Sequence, residues 1–198
     1  MTNDALIAPD EREFRGQLNS VQLNIVTFVN VARALATRSP DGNVFMRDNS
    51  AGSEHQGTHR LQTTCRQGQA LNWIIVALDG QQQPDKSWPP MPKINNVVFL
   101  DRERDDVASH LLCTQLAVYG GPDKQRSPWT PVYYYWAGIV IPTLEPGIYP
   151  YRLLVELPYA GSSTASPAAL HLNFDGPSLN VIPIDSRPPA AGSEDSAP

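Results

Sequence analysis

A chain of 198 residues with a 41% apolar share is long enough for one domain and supplies a core. Its net charge of −5 comes from 20 acidic against 15 basic residues. No Lys/Arg cluster stands ready to neutralise phosphates, which argues against general nucleic-acid binding. The start, "MTNDALIAPDEREFRGQ", lacks a basic segment followed by an apolar run, and no apolar stretch approaches the roughly 18 residues of a membrane helix. The expectation is a soluble cytoplasmic protein with no membrane partner.

The 19 prolines and 13 glycines are spread along the chain, which suits many short strands and suits long helices badly. Residues 1–18 read as a polar arm. "VQLNIVTFVNV" (21–31) alternates with a period of two, placing Val21, Leu23, Ile25, Val29 and Val31 on one face of a half-buried strand. "ARALATR" is briefly helical before "SPDG" turns the chain. "NVFMRDN" (43–49) is a short strand and "SAGSEHQG" (50–57) a loop. "THRLQTTC" (58–65), "QALNWIIVALD" (69–79), "INNVVFLD" (94–101) and "LLCTQLAVYG" (111–120) are further strands. The mixed-sign run "DRERDD" (101–106) reads as a solvated loop. "PVYYYWAGIVIP" (131–142) and "GIYPYRLLVELP" (147–158) flank "TLEPG", a hairpin-like connection. "ALHLNFD" (169–175) and "SLNVIPI" (178–184) complete the set, with Leu170, Leu172 and Phe174 facing inward and His171, Asn173 and Asp175 turned to water. The tail 185–198 is disordered by composition. About nine or ten strands at this spacing imply an all-β fold, an antiparallel β-sandwich with Greek-key, immunoglobulin-like links over residues 19–184. No internal repeat is present.

The chemistry-bearing residues are few. The α/β-hydrolase elbow, the HExxH helix, the P-loop and the dinucleotide fingerprint are all missing, so no cofactor is expected. Cys65 and Cys113 each lie in an expected strand and read as buried free thiols; a disulfide would join them only under export. In "EHQGTH", His55 and His59 lie four apart beside Glu54, a metal-binding spacing on a helix, although Gly57 opposes a helix there. His110 and His171 could join them, or pair with aspartates in a dispersed catalytic site, only through the fold. Asp41, Asn43, Asp48 and Asn49 are oxygen donors near turns, without calcium-loop spacing, and read as ordinary turn formers. Trp88 and Trp129 in Pro-rich loops, with Tyr119 and Tyr159 near strand ends, could form a carbohydrate or small-ligand platform, or merely cap the sandwich. In 133–136, alternation divides the aromatics: Tyr134 and Trp136 share one face, Tyr133 and Tyr135 the other. Four adjacent aromatics therefore cannot form one platform. One face is core, and the other is covered by a loop, an arm or a second subunit.

"VQLNIVTFVNV", "VFMRDN", "LQTTCRQGQALNWIIVALD", "VYYYWAGIVI" and "YPYRLLVEL", in that order over roughly 20–183, resemble the AidA/PixA inclusion-body family of bacteria. Gly68 and Trp73 sit where that family places a turn glycine and a strand tryptophan. Where the family carries an acidic cluster after the first strand, this chain has "NVARALAT". The resemblance implies a cytosolic β-sandwich without known catalysis, accumulating in stationary phase or under quorum control, some members packing into inclusion bodies. It carries over no functional residue. The leading expectation is a non-catalytic protein acting by self-association as a homo-oligomer or by partner binding. The alternatives are a carbohydrate or small-ligand module and an enzyme built from dispersed His/Asp residues.

Overall fold

Period-two alternation buries Leu23, Ile25, Thr27 and Val29 and leaves the residues between them half-exposed, so residues Leu23–Val29 form strand β1. In the computed structural model, which describes residues 22–81, 84–86, 88, 91–101, 105–124, 129, 132–158 and 169–185, ten further strands follow. They are β2 (Val44–Asp48), β3 (Gln62–Arg66), β4 (Ala70–Ala77), β5 (Lys93–Leu100), β6 (Asp106–Val107), β7 (Cys113–Gly120), β8 (Tyr134–Val140), β9 (Gly147–Pro158), β10 (Ala169–Phe174) and β11 (Ser178–Ile182). Among the described residues a single α-helix, α1 (Val31–Thr37), fills the expected "ARALATR" segment. The arm 1–18, Tyr159 and the tail beyond Asp185 lie outside the described residues.

Two sheets form the sandwich. The first runs β2-β1-β4-β8-β7; the second runs β3-β11-β9-β5-β6, with β10 also paired to β9. The all-β sandwich is thus borne out. Most pairings are antiparallel, but β1 runs parallel to β4 and β11 parallel to β3, so both sheets are mixed. The strand beyond the expected ten is β6, two residues at the end of the "DRERDD" run. The connection between β8 and β9 is not a hairpin: β8 belongs to the first sheet and β9 to the second. On β8 the Val140 side chain and the backbone of Gly138 are buried, and on β9 Tyr151, Leu153, Val155 and Leu157. Residues 141–146 carry the chain across from one layer to the other.

Trp73 of β4 joins the layers. Its ring meets Phe99 of β5 and Tyr151 of β9 edge-on, at centroid distances of 6.3 and 6.0 Å, and those two rings meet at 6.1 Å. A second tie crosses nearby: the Trp136 indole N–H of β8 donates to the Ile94 carbonyl of β5 at 2.8 Å. On α1, Asn30 accepts from the Arg33 amide at 3.0 Å, and both Asp79 oxygens accept from Val31 and Ala32 amides at 2.9 and 2.8 Å. The loop after β4 thereby supplies the helix with acceptors that its first turn lacks.

Candidate functional site

At one end of the first sheet lies β7. It is the terminal strand of that sheet and carries no charged residue, reading "CTQLAVYG". A bulge between Thr114 and Ala117, with Gln115 at φ 55°, sits near its start, and beyond it β7 and β8 pair in continuous register. That register sets Tyr119 opposite Tyr135, where the rings stack at 5.6 Å and 24°. Tyr133 extends the group, its centroid 6.3 Å from that of Tyr135. Three tyrosines therefore share the outer face at this edge. Tyr133 is 43% exposed, Tyr119 44%, and Val118, on the inner side of the same edge, 47%. Trp136, on the other face of the run, is drawn inward by its bond to Ile94. Tyr134 shares that inner side and lies against Gly121.

Of the expected loop platform, Trp129 is 71% exposed and Trp88 is half-buried, while Tyr159 lies outside the described residues. Tyr119 belongs to the β7–β8 tyrosine group. The register that pairs Tyr119 with Tyr135 is a tertiary fact with no local signal in either segment.

At the opposite end of the first sheet, the loop between β2 and β3 folds back on β2. Met46 N–H donates to the Thr58 carbonyl at 3.1 Å and Gly57 N–H to the Met46 carbonyl at 2.8 Å. Glu54 and Gln62 exchange backbone hydrogen bonds, each 3.0 Å. Gln56 clasps Asp48: its Nε2 donates to Asp48 Oδ1 at 2.8 Å and its Oε1 accepts from the Asp48 amide at 3.1 Å. Gly57, at φ 81°, gives the loop a left-handed step open to glycine at little cost. The chain then passes the bend between β10 and β11 so closely that a Cβ on Gly176 would stand 2.6 Å from the His59 carbonyl oxygen. Between β2, this loop and the bend lies a groove of about 630 Å³. His55, His59, Arg60, Phe45, Gln62 and Ser178 are among its lining residues.

The two histidines suggested as metal ligands thus do share a site, placed there by loop closure and not by a helix. Among the described residues, however, no group of three or more His, Cys, Asp or Glu side chains is arranged to hold a metal ion. His110 lies exposed in a short helical turn at 109–111, and His171 points outward from β10. Bidentate contact between Arg152 and Asp175, with Nη2 at 3.0 Å from Oδ2, and a further contact to Asp106 at 3.2 Å, anchor the β10–β11 bend to β9.

Cys65 and Cys113 are both free and buried. Burial pushes the Cys113 thiol from its ordinary value of 9.0 up to about 12. Burial pushes Cys65 up too, with the charges of Cys113 and Asp48 acting in the same direction. Both are neutral thiols at pH 7 and poor nucleophiles.

Residues 21–85 match a family described as a domain of unknown function (DUF8788). No curated protein matches the chain. Among solved structures, the crystal structure of an inclusion body protein, PixA, from Burkholderia cenocepacia J2315 is similar at a TM-score of 0.54 and 9% identity, covering 83% of this chain and 96% of that one. At such low identity the likeness speaks for the fold. No helix among the described residues is long and apolar enough to cross a membrane.

Proposed function

We propose that this protein acts without catalysis, by associating with a second copy of itself through the β7 edge and the tyrosines beside it. The observation carrying this reading is the character of β7: eight uncharged residues at the end of a sheet, with Val118, Tyr119 and neighbouring Tyr133 exposed. Sheet edges that do not associate are blunted by lysines, prolines or inward charges, and β7 has none of these. Its bulge lies near the start and leaves Ala117–Tyr119 regular for pairing. Two copies meeting antiparallel along this strand would form an isologous dimer, with Tyr119, Tyr133 and Tyr135 flanking the joint. The structural neighbour is named an inclusion body protein, and membership of that family, with self-association in the cytoplasm, agrees with this reading.

The stacked Tyr119–Tyr135 pair favours one other reading, a platform for a carbohydrate ring. Light scattering after size exclusion separates the two. The dimer reading expects a mass of twice 21.8 kDa for the parent and a return to 21.8 kDa for Val118→Lys. A parent that stays at 21.8 kDa up to roughly 1 mM overturns it. In that event, glycan-array binding lost on Tyr119→Ala would support the platform.

A further inference from the structure

The groove beside β2 has a chemical character of its own. Three ionisable side chains line it, His55, His59 and Arg60, and each is cationic when charged; no Asp or Glu is among its lining residues. This stands out on a chain of net charge −5. The three are also uncommitted. Arg152 and Lys93 are held in ion pairs, but neither the two imidazoles nor the Arg60 guanidinium makes a hydrogen bond or ion pair among the described residues. Gln62 and Ser178 add neutral polar groups, and Phe45 and Val44 supply an apolar wall. The backbone of the loop that presents these residues is fixed by its bonds to Met46 and Asp48, so their Cα positions are set before any ligand arrives. The volume, about 630 Å³, fits a small molecule.

We propose that this groove binds a small organic oxyanion, a phosphate or carboxylate borne on an apolar or aromatic body, with Arg60, His55 and His59 meeting the anion and Phe45 the body. A guanidinium offers paired N–H groups that match two oxygens of either anion, and charge-assisted bonds of this kind are the strong ones. The groove lies at the β2 end of the sheet, the opposite end from β7. Its occupation is therefore independent of the association proposed above.

The test is a titration of the full chain, isotope-labelled at histidine, with phenyl phosphate, benzoate and uncharged benzyl alcohol, followed by imidazole NMR shifts. At least one of the anions should shift His55 and His59 saturably, and the anion saturating at the lower concentration names the headgroup. Arg60→Gln should weaken that binding about tenfold or more, as should the double change His55→Gln/His59→Gln followed by backbone amide shifts of Thr58 and Gln62. Arg60 and His55 are exposed, so an unchanged thermal midpoint will show that the variants remain folded. Three results overturn the proposal: no saturable shift by either anion below roughly 10 mM, equal affinity for benzyl alcohol, or an undiminished affinity in Arg60→Gln.

Discussion

Raising the pH from 7 to 10 should destabilise this fold through thiols that it keeps neutral. Cys113 is only 2% exposed, and burial lifts its pKa from 9.0 to about 12. A group whose pKa is higher folded than unfolded contributes stability that is intact below the unfolded value and is lost as pH climbs toward the folded one. The window for Cys113 therefore opens near pH 9 and closes near pH 12. At pH 10 the unfolded thiol is about nine-tenths ionised while the native thiol is not, which costs on the order of 1 kcal/mol; near pH 12 the loss grows to a few kcal/mol. Burial acts in the same direction on Cys65 and on the Tyr151 hydroxyl, so the whole protein should lose more than Cys113 alone accounts for. Urea unfolding followed by circular dichroism at pH 7 and pH 10 measures this. Cys113→Ala should be less stable than the parent at pH 7, because it removes buried volume, yet show a pH dependence smaller by about 1 kcal/mol. A parent whose unfolding free energy is the same at both pH values would refute the reasoning, because the thiols would then be ionising in the folded state.

Two local substitutions test how the fold is held. Asp79→Ala removes the acceptors for the Val31 and Ala32 amides and should cost about 1 kcal/mol in urea unfolding, with amide exchange quickened at those two positions first. Arg152→Met breaks the contacts to Asp175 and Asp106; the cost should be about 1 kcal/mol, since the carboxylates are partly solvated, with faster amide exchange concentrated at the bend 175–178.

Alternation made the strands and their buried faces readable. Leu23, Ile25 and Val29 turn inward as the pattern says, and in β10 Leu172 and Phe174 are buried while His171 and Asn173 face out. It also divided the Tyr133–Trp136 run correctly, because a period of two permits no other arrangement on one strand. What alternation cannot carry is the choice of neighbour. Each side chain reports which side is dry, but not which strand lies alongside or in which direction, so the parallel pairing of β1 with β4 and of β3 with β11 left no local trace. The same gap hid the candidate sites. Tyr119 and Tyr135 are joined by register alone. His55 and His59 had the spacing of helical neighbours, but a glycine step and two backbone bonds to Met46 bring them to a groove that also needs the Gly176 bend from far along the chain.

The fold-back of the β2–β3 loop has a consequence for how far any assembly can grow. Met46, in the middle of β2, already spends its outward N–H and C=O on Thr58 and Gly57, so the far margin of the first sheet is occupied by the protein's own chain. A sheet with two available margins can add copies without end; a sheet with one can add a single copy and is then complete. If copies pair through β7 as proposed, strand pairing through the first sheet stops at two molecules. On that reading, any larger body would have to draw on contacts outside the first sheet, at the margins of the second sheet or between side chains elsewhere.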